Sequence, residues 1–175
     1  MLFWRSFFFH VFYSIISHTV SKNQIFLILN NIRSAYNVGS IFRTADGAGI
    51  TKIFICGISP TPNDAKVTKT SLGAEKTVSW EYHKQTWRLL KKLKTQNPNL
   101  KVVGLEQTDK STNIFKFKPK FPLVLIVGNE VRGLNKKILS YADKNIEIPM
   151  YGKKESLNVA VATGIALYQI KFYNF

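Results

Sequence analysis

The chain of 175 residues has few residues that hold metal ions. Cys56 is the only cysteine, so the sequence excludes a disulfide within the chain and a zinc site built from cysteines. The three histidines, His10, His18 and His83, lack the spacing of metal ligands, and we expect no bound metal. A single unpaired cysteine is typical of a reducing compartment, and we expect the cytoplasm.

Several common catalytic motifs are also missing. The chain has no G-x-x-x-x-G-K-[ST] phosphate loop, no G-x-G-x-x-G after its first apolar run, and no G-x-S-x-G nucleophile elbow. These absences argue against a P-loop nucleotide hydrolase, an ordinary dinucleotide or Rossmann methyl-donor site, and a serine hydrolase of the elbow type.

Acidic residues are scarce as well. Ten Asp and Glu stand against 25 Lys and Arg, which gives a formal net charge of +15. A charge this asymmetric favours a polyanionic partner, with nucleic acid ahead of an anionic membrane. The competing explanation is that the positive charge serves only to keep the protein soluble.

Residues 1–24 differ in composition from the remainder, and we divide the chain into an apolar N-terminal extension and a domain at 25–175. The apolar run is interrupted by Arg5 and His10 and is shorter than the ~20 residues of a membrane-spanning helix, so we do not expect a membrane protein. Arg5 before an apolar stretch leaves a targeting or anchoring segment open, organellar targeting included. The alternatives are an extension without a role of its own and a start codon assigned too far upstream.

Short apolar runs alternate with amphipathic stretches along the rest of the chain. The runs predict buried strands at 25–29, 52–57, 100–107, 122–128 and 145–150. Helical spacing predicts helices at 38–47, 84–94, 134–144 and 157–172. Strands that alternate with helices predict an α/β domain, with a largely parallel sheet and helices on both of its faces.

Three polar clusters follow predicted strands at their carboxyl ends. They are residues 31–43 after IFLIL, GNEVRG at 128–133 after LVLIV, and YGKKESLN at 151–158 after IEIPM. Because parallel sheets bind ligands beyond the carboxyl ends of their strands, the three clusters together predict one site.

Each candidate side chain in these clusters also has a structural interpretation. Glu130, which lies between two glycines, is either a site acid or an ordinary loop charge. Asn37, Ser156 and Asn158 stand near the starts of predicted helices, where capping is the alternative role. Arg43 offers a planar fork that suits phosphate, or it merely covers apolar surface with its stem.

The stretches NIRSAYNVGSIFRTADGAG, LVLIVGNEVRGLN and IEIPMYGKKESLNVAVATGIALYQ resemble, in this order, the three motifs of the SpoU-type (TrmH-like) 2′-O-ribose RNA methyltransferases of the SPOUT superfamily. The resemblance covers the chain from about residue 25 onward. It implies a C-terminal trefoil knot, a rare exception to unknotted topology. It also implies S-adenosylmethionine as the cofactor and a homodimer with the last helix in its interface. Gly128, Ile148 and Leu157 would line the cofactor pocket.

The resemblance further implies catalytic positions, which are Asn37, Arg43, Glu130, Ser156 and Asn158. A guanidinium keeps its proton at any ordinary pH. We therefore expect Arg43 to grip a phosphate and to stabilise negative charge on the 2′-oxygen, rather than to act as a base. The other four would position Arg43, the ribose and the loop, and we expect Arg43 to share a cavity with Gly128 and Ser156.

The substrate implied by the resemblance is structured RNA, with transfer RNA slightly favoured over ribosomal RNA. We predict RNA contacts for Arg33 and for Lys153 and Lys154, which flank the third motif. Further lysine runs that offer phosphate contacts lie at 91–94, 116–120 and 136–137. The alternative function is a non-catalytic RNA-binding or ribosome-assembly protein on the same fold, and a membrane-anchored protein is a third.

Overall fold

Seven strands form one sheet in the computed structural model, which describes residues 23–173. The predictions for residues 1–22 lie outside the described residues. The strands are β1 (Ile25–Asn30), β2 (Lys52–Cys56), β3 (Trp80–His83), β4 (Lys101–Leu105), β5 (Thr112–Asn113), β6 (Leu123–Val127) and β7 (Lys144–Glu147). The helices are α1 (Ala35–Gly47), α2 (Ala65–Ser71), α3 (Ala74–Thr77), α4 (Thr86–Gln96), α5 (Lys136–Leu139) and α6 (Val159–Phe172), with one 3-10 turn at Ile114–Lys116.

The sheet has the strand order β3-β2-β1-β6-β4-β7-β5, and every neighbouring pair is parallel. Leu27 of β1 lies opposite Ile53 of β2 on one side and Leu125 of β6 on the other. The predicted α/β class with a parallel sheet is therefore confirmed. The trefoil knot stays a prediction.

Helices cover both faces of the sheet, as the continuous apolar runs of β1 and β6 predict. Ile25, Leu27 and Leu29 of β1 belong to a core that includes buried residues of α1 and α6. Ile28 belongs to the opposite core, which includes buried residues of α4 and α5. Full burial of such a side chain is worth ~1.5–3 kcal/mol of transfer free energy. Both cores hold the central strands in place, and so they position the edge where the polar clusters emerge.

The helices α1 and α6 lie side by side and run in the same direction. A methyl group added at Gly164 would lie 3.5 Å from Cγ2 of Thr44, and one added at Gly47 would lie 3.1 Å from the hydroxyl of Tyr168. The N-termini of both helices therefore stand together at the carboxyl edge of the sheet.

The helix predicted over 134–144 is wrong beyond its first turn, because α5 ends at Leu139. Asp143 brings the chain back to the sheet: its backbone N–H donates to the Val102 carbonyl (2.7 Å), and its carboxylate accepts from the Val102 N–H (2.7 Å). The strand predicted over 145–150 ends earlier, at Glu147. The elements β3, β5, α2 and α3 are two to seven residues long and were not predicted.

Candidate active site

The loop after β6 folds back on itself between two glycines. The backbone N–H of Gly133 donates to the carbonyl of Asn129 (2.9 Å), and these two residues form an antiparallel bridge. Gly133 has a φ of 60°, a conformation that favours glycine. A Cβ on Gly128 would lie 2.5 Å from the Gly133 carbonyl carbon. The loop therefore requires glycine at both positions.

Asn129 joins this loop to the segment that follows β1. Its amide donates to the carbonyl of Asn31 (2.8 Å), and its side-chain oxygen accepts from the N–H groups of Val131 and Arg132 (3.0 Å each). One side chain thus closes the turn and holds the first and second motifs at a fixed separation.

Glu130 is the main link between the same two motifs. Its carboxylate accepts hydrogen bonds from the backbone N–H groups of Arg33 (2.8 Å) and Ser34 (3.0 Å). The same group accepts from the side-chain amide of Asn37 (3.0 Å). All three donors lie in the entry to α1, so Glu130 orients this entry from a separate loop.

Asn158 adds the third motif to this network. Its side-chain oxygen caps α6 by accepting from the N–H groups of Ala160 (2.8 Å) and Val161 (3.4 Å). Its amide nitrogen donates to the side-chain oxygen of Asn37 (3.1 Å). Asn158 therefore both caps a helix and connects two motifs, so the two roles weighed for it are compatible.

Hydrogen bonds lower the pKa of the Glu130 carboxyl. Partial burial raises its pKa, but the backbone N–H groups of Arg33 and Ser34 and the Asn37 amide outweigh that effect. The group is therefore a carboxylate at neutral pH, and it acts as a hydrogen-bond acceptor rather than as an acid.

A cleft of about 220 Å³ opens beside this network at the carboxyl edge of the sheet. It brings together five of the predicted site residues, and these are Gly128, Glu130, Ile148, Ser156 and Leu157. They come from the ends of β6 and β7 and from the segment before α6. The convergence that the strand-end argument predicts is thus present in the structure.

The lining of this cleft carries a negative charge that is unusual for so basic a chain. Glu106, Glu130 and Glu147, three of the ten acidic residues of the sequence, line it, while no lysine or arginine does. Apolar side chains such as Leu105 and Val127 form other parts of the wall. The cleft is thus suited to a ligand with an apolar portion and a positive charge.

Arg43 lies elsewhere, so the expectation that it shares one cavity with Gly128 and Ser156 is wrong. Its exposed side chain lines a second cleft, of about 420 Å³, together with Asp46 and Thr77. The reason is helical geometry: six residues separate Arg43 from Asn37, which is about 9 Å along α1 and about 240° around its axis.

The residues predicted to contact RNA lie at the surface around the first cleft. Arg33 is exposed, and its backbone N–H is the donor to Glu130. Lys153 and Lys154 are exposed on the segment that leads to Ser156. All three side chains are thus accessible to a ligand outside the cleft.

The sequence interpretation missed two residues that shape the site, Asn129 and Glu106. The Glu106 carboxylate accepts from the N–H groups of Leu134 (2.5 Å) and Gln107 (3.2 Å) and lies against Gly133. The strand predicted at 100–107 included Glu106, and only the observed end of β4 at Leu105 places this residue at a carboxyl end, where the rule for ligand sites would have found it.

Within residues 23–173, no group of three or more His, Cys, Asp or Glu side chains could hold a metal ion. None of the helices in this part of the chain combines the length and the hydropathy that a membrane crossing requires.

Comparison with known proteins identifies the family. The model of the SpoU rRNA Methylase family matches residues 24–168. The 23S rRNA (guanosine-2′-O-)-methyltransferase RlmB of Haemophilus influenzae is 35% identical over 153 residues, which cover 85% of this chain and 60% of the relative. The tRNA (guanosine(18)-2′-O)-methyltransferase of Aquifex aeolicus is 33% identical over 149 residues, which cover 85% of this chain and 69% of the relative.

The fold agrees with solved structures of similar proteins. An AdoMet-bound rRNA methyltransferase from Sinorhizobium meliloti superimposes with a TM-score of 0.81 at 26% identity, over 92% of this chain and 60% of that one. The chain thus spans about 60% of the length of RlmB and of this structure. The matched residues contain the first two motifs, all but the last residue of the third, and every residue that lines the first cleft, and the chain belongs to the SpoU rRNA methylase family.

Proposed function

We propose that the protein transfers a methyl group from S-adenosylmethionine to a ribose 2′-hydroxyl of RNA. The observation that carries the proposal is the hydrogen-bonded set of Glu130, Asn37 and Asn158 beside the acidic cleft. The names of the relatives support the same reaction, since both are guanosine 2′-O-methyltransferases, one of 23S rRNA and one of tRNA. We assign RNA as the substrate class.

The lining of the first cleft fits S-adenosylmethionine. This cofactor combines a flat adenine with a positively charged sulfonium and an ammonium group, and when bound it supplies a methyl carbon open to in-line attack. Apolar walls at Leu105, Val127 and Ile148 suit the adenine. The carboxylates of Glu106 and Glu147 suit the positive charge.

Positioning is the main task left to the chain, because in-line attack depends on alignment. The mutual hydrogen bonds of Asn37, Glu130 and Asn158 restrict their rotamers and fix the entry to α1 against the start of α6. Ser156 lines the cleft and is exposed, so its hydroxyl is free to orient the ribose. The 2′-hydroxyl proton leaves to solvent water, and we assign to Arg43 the stabilisation of the negative charge that develops on the 2′-oxygen.

We further propose a homodimer in which Arg43 of one copy completes the cleft of the other. Val161, Tyr168 and Phe172 of α6 are 52%, 56% and 71% exposed, and their spacing places them on one face of the helix. An apolar stripe of this kind is typical of an interface between proteins. Since α1 lies beside α6, a partner docked on this stripe approaches Arg43 as well.

The reaction is tested with the purified chain, labelled cofactor and total cellular RNA, followed by mass spectrometry of the ribose-methylated nucleosides. We expect one 2′-O-methylated nucleoside to appear, and cofactor binding to be measurable by calorimetry. Binding of cofactor without any methylated nucleoside would overturn the enzymatic proposal and favour a non-catalytic RNA-binding protein.

The shared site is tested by mixing two inactive variants, Arg43→Ala and Glu130→Gln, under conditions that exchange subunits. Mixed dimers contain one intact site, so random exchange should restore about a quarter of the wild-type activity. Two separately inactive variants that stay inactive after subunit exchange would overturn the proposal. Arg43→Lys adds a second measurement: if the planar fork is needed, the charge alone does not restore methyl transfer.

We also place the reaction in the cytoplasm. Cys56 is buried and unpaired, which agrees with a reducing compartment.

A further inference from the structure

We propose that the surface formed by α4 and α5 binds the phosphate backbone of the RNA substrate. This α4–α5 basic face is defined by Lys84, Arg88, Lys91, Lys136 and Lys137, all of which are exposed. The inference rests on the proposed function in one respect, namely that the partner is RNA. It adds a binding surface on the side of the sheet opposite α1 and α6.

The α4–α5 basic face is rich in positive charge that the chain does not neutralise. In the described residues, none of its five cations forms an ion pair with a carboxylate. The acids nearby already have partners: Glu81 pairs with Lys52 (2.7 Å), and Asp143 pairs with Lys94 (2.9 Å). Five unneutralised cations repel one another, and a polyanion relieves this repulsion.

Trp87 holds the two helices of the face together. The ammonium of Lys137 on α5 lies 4.0 Å from the centroid of the Trp87 ring, and the guanidinium of Arg88 lies 5.2 Å from it. Such cation–π contacts place the cations of α5 beside those of α4. The face is therefore one continuous surface rather than two separate basic helices.

The α4–α5 basic face also adjoins the edge of the sheet where the first cleft opens. The Thr86 hydroxyl in the first turn of α4 donates to the side-chain oxygen of Asn30 (2.6 Å), the last residue of β1. Lys136 follows Gly133 of the cleft by three residues. An RNA strand that presents a ribose at the mouth of the cleft can thus continue onto the face.

The composition of the face favours RNA over a membrane surface. Membrane-binding helices combine cations with exposed large apolar side chains. The exposed large apolar residues of the described chain lie on other elements, and none lies on α4 or α5. A face with cations and without apolar side chains suits phosphates on a hydrophilic backbone.

The test compares two triple variants of equal charge change in the full chain. The first is Arg88→Gln, Lys91→Gln and Lys136→Gln. The matched control replaces Lys116, Lys118 and Lys120 by Gln; these exposed lysines precede β6 and form the basic run that competes with the α4–α5 basic face as the phosphate-binding surface. Fluorescence anisotropy with labelled bulk transfer RNA gives Kd at several salt concentrations, and thermal melts together with cofactor calorimetry establish that each variant is folded.

We expect the face variant to weaken RNA binding by at least about tenfold at ~0.1 M salt, and to reduce the slope of log K against log salt by about 2. The control variant should stay within about twofold of the wild type, and both should bind cofactor normally. Equal weakening by the two variants would overturn the inference, because net charge alone would then explain binding. The inference would also be overturned if the face variant lost binding to phosphatidylserine vesicles while its RNA binding stayed unchanged.

Failure of this inference and failure of the proposed function give different results. A wild-type chain that binds RNA in a manner that depends on the α4–α5 basic face, yet methylates no nucleoside, overturns the proposed function and supports the face. A chain that methylates RNA, and whose face variant binds RNA like the wild type, overturns the face and supports the function.

Discussion

The substitution Glu130→Gln removes the charge around which the first and second motifs are assembled. One carboxylate oxygen accepts from the Arg33 N–H, and the other accepts from both the Ser34 N–H and the Asn37 amide. A glutamine keeps only one side-chain oxygen. We expect that oxygen to take the position where the Ser34 N–H and the Asn37 amide both donate. The NH₂ group of the glutamine then faces the Arg33 N–H, so one hydrogen bond is replaced by a contact between two donors.

The magnitude follows from the number of bonds affected. A hydrogen bond to a charged group is worth ~1.5–3 kcal/mol at most, and the exposure of Glu130 places each bond below that range. Loss of one bond and of the charge at the other two should lower the free energy of unfolding by about 1–2 kcal/mol. For a chain of this size, that corresponds to a fall in Tm of about 2–8 °C at neutral pH.

The pH dependence has a definite sign. Because the pKa of Glu130 is lower in the folded protein than in the unfolded chain, its stabilising effect is complete above the unfolded pKa of about 4.3. The effect is lost as the pH falls through the folded pKa. The difference in Tm between wild type and Glu130→Gln should therefore be constant near neutral pH and shrink below about pH 4.

Thermal melts of both proteins between about pH 7 and pH 3.5 measure this difference. Glu155→Gln is the matched control: Glu155 is also an exposed glutamate near the cleft, and its only hydrogen bond in the described residues uses the backbone carbonyl. Its Tm should equal that of the wild type at each pH. A Glu130→Gln defect of the same size at low and neutral pH would refute the assignment of the carboxylate as the acceptor.

Further substitutions test other parts of the site. Asn158→Ala should lower the free energy of unfolding by about 1 kcal/mol, since it removes the cap of α6. Asn158→Asp keeps the cap but loses the donor to Asn37, and it should lower methyl transfer with a smaller fall in Tm than Asn158→Ala. Gly133→Ala should cost at least about 1 kcal/mol and weaken cofactor binding in calorimetry, because a Cβ at this positive φ would displace Glu106. Burial raises the pKa of the Cys56 thiol to about 12, despite a hydrogen bond with Thr86, so iodoacetamide should label Cys56 only after denaturation.

Each of these expectations has a contrary outcome. A Tm for Asn158→Asp as low as that of Asn158→Ala would show that the link to Asn37 matters more to stability than the cap. Unchanged cofactor affinity in Gly133→Ala would separate the loop from the cofactor. Rapid labelling of native Cys56 would contradict its position in the core.

The sequence predicted well those features that depend on neighbouring residues. The run of apolar residues in β1 and β6 marks a strand buried on both faces wherever it occurs, and both strands lie within one residue of their predicted limits. The helix over 134–144 failed for the opposite reason. Local spacing favoured a helix, but the exchange of hydrogen bonds between Asp143 and Val102, 41 residues apart, outweighed it.

The sequence by itself determined the alternation of strands and helices and the polar clusters at strand ends, because these follow from side-chain pattern along the chain. The resemblance of its three motifs to those of the family is likewise a property of the sequence alone. Only the tertiary structure decided how the motifs meet. Glu130 and Arg33 lie 97 residues apart, and their contact depends on where the packed strands end. The position of Arg43 in a separate cleft depends in the same way on the packing of α1 against the sheet, since packing sets which face of the helix turns outward.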